Sequence, residues 1–116
     1  MPKSYYNGFL SKEEEICGMP MYISEYGYIY WWEDNPSERL KHVGATGVPQ
    51  SKEEGVQLLS ELTKVLMDNK YMFGLCYVQL YDVEGEENGL YTYDRRPKFD
   101  NAQIRKILSA PAGIEE

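Results

Sequence analysis

Apolar and polar positions divide the chain into four periodic stretches joined by polar, turn-rich sequence. Residues 1–19 are polar and irregular, with a short helical turn expected around Ser11–Ile16. Pro20-Met21-Tyr22-Ile23-Ser24-Glu25 reads as a strand, apolar almost throughout until it ends in a carboxylate. Apolar character without alternation predicts a parallel strand covered on both faces. Residues 26–50 form a long loop that opens on Tyr26, Tyr28, Tyr30, Trp31 and Trp32. Loops of this length in a small domain are usually functional or mobile. Ser51-Lys52-Glu53-Glu54 is a capping box, and Val56, Leu59, Leu62 and Leu66 then repeat at a helical period. Tyr71 to Tyr81 reads as a second strand, in which Gly74 signals close packing or a bulge. An acidic loop, Asp82 to Asn88, is expected to turn at Asn88-Gly89, before a short extended piece at Leu90–Tyr93. Asp100 caps a last helix with Gln103 as its capping-box partner, Ile104, Ile107 and Leu108 form its apolar face, and Pro111 stops it.

The order is therefore strand, long loop, helix, strand, long loop, helix. Two parallel strands joined by a helix make a right-handed βαβ unit. The expectation is an α/β fold with parallel strands in a single domain, residues 1–116, without internal repeats.

Charge narrows the partners. The 19 acidic and 12 basic residues leave a net charge of −7. The one basic cluster, Arg95, Arg96 and Lys98, is flanked by Asp94 and Asp100, so no basic stripe is available for nucleic acid or an anionic membrane surface. No apolar run approaches the roughly 20 residues of a membrane span, and the first residues lack the apolar core of a secretory signal. Cys17 and Cys76 have no metal-ligand spacing, so a reduced, cytoplasmic setting is the default, with no metal or other cofactor. The lone histidine, His42, leaves no Ser-His-Asp or Cys-His triad to pursue. The 11 tyrosines suggest either a surface that stacks on something flat or a core whose hydroxyls find partners.

Two segments point further. Gly18-Met19-Pro20-Met21-Tyr22-Ile23-Ser24-Glu25-Tyr26-Gly27 resembles the nucleophile strand of family 2 glycoside hydrolases, an apolar strand ending in Ser/Thr/Cys-Glu-Tyr. Leu80-Tyr81-Asp82-Val83-Glu84, then Glu87-Asn88-Gly89-Leu90-Tyr91, then Asp94-Arg95-Arg96-Pro97-Lys98 resembles the eighth strand and following loop of bacterial members. The resemblance spans about residues 18 to 110 and includes the single helix between the segments. It implies a partial (β/α)₈ barrel, the last two β/α units, with catalytic residues at the C-terminal ends of strands.

The resemblance further implies that Glu25 is the nucleophile of a retaining β-glycosidase. Such an enzyme needs two carboxyl groups about 5 to 5.5 Å apart, one to attack the anomeric carbon and one to protonate the leaving oxygen. The family's acid/base lies in an Asn-Glu pair, and no asparagine here is followed by glutamate. The chain is therefore expected to be inactive alone. Tyr26, Trp31, Trp32, Gln79 and Asp82 are the candidate substrate contacts. Trp31 and Trp32 offer flat faces for a sugar ring or, alternatively, cover the rim. Asp82 is the best-placed of the local carboxylates, the alternative being a solvated acidic loop. The Asn-x-Lys element of the family's β-glucuronidases is missing, because Asn88 is followed by Gly89 and Leu90. The expected ligand is a neutral β-glycoside, galactoside first. A competing expectation is a non-catalytic α/β module that binds sugar or a partner chain through its aromatic loop. Two strands cannot close a barrel and leave open edges, so self-association or docking onto a missing barrel part is expected.

Overall fold

The computed structural model describes residues 20–115, so the turn expected around Ser11–Ile16 lies outside the described residues. Strand β1, Met21–Gly27, leads into a loop that contains the short helix α1, Pro36–Leu40. Helix α2, Lys52–Met67, is followed by strand β2, Met72–Val78, and helix α3, Asn101–Leu108. A single 3-10 turn, Gly113–Glu115, follows. β1 and β2 pair in parallel, as the order strand-helix-strand predicts. The result is a small α/β fold with a two-stranded parallel sheet.

α2 forms where the spacing of apolar residues predicts it. Ser51 caps it by accepting the Glu54 amide at 3.1 Å, and Leu59, Leu62 and Leu66 are buried. The reciprocal arm of the capping box is displaced by one residue: Glu54 Oε2 accepts the amide of Gln50 rather than that of the cap. Thr63 is also buried, and its hydroxyl lies 2.8 Å from the Tyr26 hydroxyl. This bond lets α2 hold a polar atom of β1 inside an apolar interface, where an unpaired hydroxyl would be costly. The core comprises Ile23 and Tyr26 from β1, the α2 leucines, Met72 from β2, Ile104 from α3, and Ile29, Leu90 and Phe99 from the loops. α3 starts where the side chain of Asp100 accepts the Ala102 amide at 2.8 Å.

β1 differs from its expected form in two ways. It runs two residues past Glu25, because Tyr26 and Gly27 still pair with Tyr77 and Val78. It is also covered on one face only: Tyr22 is 52% exposed and Phe73 of β2 is 59% exposed. Helices pack against the side of Ile23, Tyr26 and Met72, and among the described residues no third layer closes the other side. Gly74 combines both roles expected of it. A register shift follows Met21, and a Cβ on Gly74 would meet the Tyr22 ring at 2.7 Å.

The acidic loop turns elsewhere than expected. Val83 and Glu86 exchange two backbone hydrogen bonds around Glu84-Gly85, with Gly85 at φ +82°. Asn88 and Gly89 are instead buried, and a Cβ on Gly89 would sit 2.5 Å from the Asp82 nitrogen. The expected extended piece around Tyr91 survives as single bridges to Tyr81 and Pro97.

Candidate functional site

Glu25 lies at an irregularity of the sheet. Ile23 pairs with Leu75 and Tyr26 with Tyr77, so Ser24 and Glu25 together stand against Cys76 alone. Two residues opposite one is a β-bulge, which re-aims side chains and is common beside active sites. Both Ser24 and Glu25 are exposed, as is Cys76. Tyr28, at φ +51° just past β1, donates its hydroxyl to Glu25 Oε2 at 2.7 Å. The Tyr28 amide in turn donates to the Val78 carbonyl at the end of β2. Glu25 is thus oriented by a residue that is itself tied to the neighbouring strand. Sequence reasoning passed over Tyr28, and its place in the aromatic run was the available signal.

The other expected contacts separate. Tyr26 is 0% exposed and its hydroxyl is engaged by Thr63, so it packs in the core and cannot face a substrate. Its ring also meets Tyr77 edge-on at 5.8 Å. Gln79 follows β2 and spends its amide on the Asn88 side chain at 2.6 Å and the Glu86 carbonyl at 3.3 Å, which fixes the acidic loop. Asp82 is buried, and its Oδ1 accepts from Lys98 Nζ at 2.5 Å and from the Gly89 amide at 2.9 Å. Lys98 has a wholly buried side chain and also donates to the Glu87 carbonyl. Burial pushes the Lys98 ammonium down from its ordinary range, and the hydrogen bond with Asp82 pulls it back up. Asp82 is therefore a structural counter-ion to Lys98 rather than a free acid for a substrate.

The two tryptophans also part. Trp31 packs against the core, donates its indole N–H to Glu33 Oε2 at 2.9 Å and carries the Arg39 guanidinium over its ring at 4.8 Å. Trp32 turns into a cleft of about 920 Å³ between the loop after β1 and the loop after β2. It stacks on His42 with ring centres 5.0 Å apart and on Tyr30 at 5.5 Å. Glu25, Tyr26, Trp31 and Gln79 do not line this cleft, whereas Trp32 and Asp82 do. A smaller hollow of about 370 Å³ beside it is lined by Gln79 and Asp82, among others.

Charge organises the cleft. Arg96 joins its two walls, reaching Asp34 on one loop and both carboxylate oxygens of Asp94 at 3.0 Å on the other. Hydrogen bonds from Thr92 and Arg96 hold the Asp94 carboxyl below the usual carboxylate range. The Tyr30 hydroxyl is pushed up by burial, and the negative charges of Glu86 and Glu87 add to this. Asp34 and Arg96 are 62 residues apart, so no local motif could have predicted this contact. Among the described residues no group of three His, Cys, Asp or Glu could hold a metal ion, and no helix is long and apolar enough to cross a membrane.

No known family model matches the chain, and no curated protein sequence matches it significantly.

Proposed function

We propose that this chain carries the nucleophile of a retaining β-glycoside hydrolase of the family 2 type, as the last two β/α units of a (β/α)₈ barrel. The observation that carries the proposal is the bulge at Ser24-Glu25. It turns a carboxylate onto the uncovered face of a parallel sheet, near the C-terminal end of the strand, with Tyr28 bonded to it. In a closed barrel the uncovered face of Tyr22 and Phe73 is the one that faces inward. The segments from Gly18 to Gly27 and from Leu80 to Lys98 support the same reading.

Glu25 attacks the anomeric carbon, the bond to the leaving oxygen breaks, and the electron pair departs with the aglycone. The proton for an ordinary alcohol comes from an acid/base group outside this chain. The substrate is a neutral β-glycoside, galactoside first. A poor leaving group then stays bound, because loss of a general acid alone removes roughly 10² to 10⁴ of rate.

A test follows from that asymmetry. Dinitrophenyl β-glycosides with fluorine beside the anomeric carbon release an anion that needs no proton, and the fluorine preserves the glycosyl adduct. Incubation with the galactoside, glucoside and mannoside forms, read by intact mass and peptide mapping, is expected to leave one sugar on Glu25. The Glu25→Gln variant is expected to stay unmodified. No adduct with any of the three, or an adduct that persists in Glu25→Gln, overturns the proposal.

A further inference from the structure

The cleft between the two loops lies apart from Glu25 and has its own chemistry. Trp32 lines it while only 8% exposed. Its indole N–H has no hydrogen-bond partner among the described residues, unlike that of Trp31. A buried donor left unpaired is costly, so an acceptor supplied by a ligand is favoured there. Across the cleft, Glu84 and Glu87 carry carboxylates with no hydrogen bond or salt bridge among the described residues. The Tyr30 and Tyr93 rings complete the walls. Tyr93 is 71% exposed, which leaves its ring open to contact.

We propose that this cleft is a second, non-catalytic carbohydrate site that takes an uncharged, hydroxyl-rich ring. The donor and acceptor pattern selects the ligand class. A sugar hydroxyl accepts from Trp32 Nε1 while its neighbours donate to Glu84 and Glu87, and the ring's C–H face packs on tyrosine. A cation supplies donors only and leaves the Trp32 N–H unanswered. An anion answers Trp32 but meets two unpaired carboxylates. The volume of about 920 Å³ falls within the usual range for a small-ligand site and exceeds a single ring, so a disaccharide or longer chain is the ligand. The site does not depend on Glu25, which is not among its lining residues.

Calorimetric titration of the full chain with lactose, cellobiose and mannobiose tests the proposal, with glucuronate and spermidine as charged probes. At least one neutral disaccharide is expected to bind saturably, and neither charged probe is expected to bind. Trp32→Phe keeps the ring stack and removes the N–H, and is expected to weaken binding by about three- to tenfold, the worth of one hydrogen bond. Tyr93→Ala changes an exposed residue, serves where Trp32→Phe proves poorly folded by circular dichroism, and is expected to weaken binding by a similar factor. Glu25 does not line the cleft, so Trp32→Phe and Tyr93→Ala are expected to leave the glycosyl labelling of Glu25 as in the wild type, and this proposal and the nucleophile proposal fail separately. Silence toward all three disaccharides, preference for spermidine or glucuronate, or undiminished disaccharide binding in Trp32→Phe and Tyr93→Ala overturns the inference.

Discussion

Lys98 Nζ stands 2.5 Å from Asp82 Oδ1, and the pair locks the strand-end loop against the sequence that follows it. Neither residue is on a regular element, so this ion pair takes the place of a strand ladder. Lys98 also holds the Glu87 carbonyl, whose second donor is the Trp31 amide. One buried ammonium therefore positions both loops that form the cleft.

Removing one partner of such a pair leaves the other charge buried and alone, at about 3–5 kcal/mol. Lys98→Met is expected to destabilise the chain by that much, as is Asp82→Leu. The double variant is expected to recover much of the loss. Urea unfolding of the four proteins checks this, and strictly additive losses contradict the coupling.

Tyr77 gives the chain an alkaline limit. Its hydroxyl accepts from the Ile29 amide at 3.3 Å and donates to the Asn88 carbonyl at 3.1 Å. Burial pushes its ionisation well above the ordinary tyrosine value. A group that stays protonated in the folded chain but ionises near pH 10 when unfolded stabilises the fold below that pH. Above it the unfolded state binds fewer protons, so stability falls as pH rises. Melting temperature is expected to drop from about pH 10 upward, with a shallower slope in Tyr77→Phe. An unchanged slope rules Tyr77 out as the cause.

Gly27 separates backbone strain from crowding. It sits at φ +102°, and an added Cβ would lie 2.3 Å from the Tyr77 ring. Gly44, at φ +86°, has open space around the same position. Gly44→Ala is expected to cost about 1 kcal/mol for the left-handed conformation alone. Gly27→Ala is expected to cost at least about 2 kcal/mol more, because the aromatic ring must also move. Equal losses by thermal denaturation contradict the steric account.

Glu25 is exposed, and its hydrogen bond with Tyr28 is solvent-facing. Glu25→Gln is expected to change stability by less than about 0.5 kcal/mol. Loss of glycosyl labelling with an unchanged melting temperature then assigns the effect to chemistry and not to folding. A large fall in melting temperature removes that assignment.

Local signals in the sequence carried most of the elements. The Ser51 cap, the leucine spacing of α2 and the Asp100 cap each act within one or two helical turns, so their consequences are readable in the order of residues. The parallel pairing of β1 and β2 followed from the helix between them. Coverage of the sheet was not legible, because an apolar run states only that burial is available, and Tyr22 and Phe73 remain exposed. The fate of Tyr26 depended on the sense of its side chain across a bulge that no propensity marks. Asp82 looked like a free carboxylate because its partner, Lys98, is 16 residues away. Trp31 and Trp32 are adjacent and aromatic, yet they point into different surroundings, one to the core and Arg39, the other to the cleft.

The bare face of the sheet makes the folded state open to mass action. Whatever seats itself on Tyr22 and Phe73 recognises a surface that exists only when β1 and β2 are paired, so it draws the equilibrium toward the native chain. If the visitor is another copy, the melting temperature climbs as the solution is made more concentrated. If it is a foreign segment, dilution leaves the melting temperature where it was, and only the addition of that segment raises it.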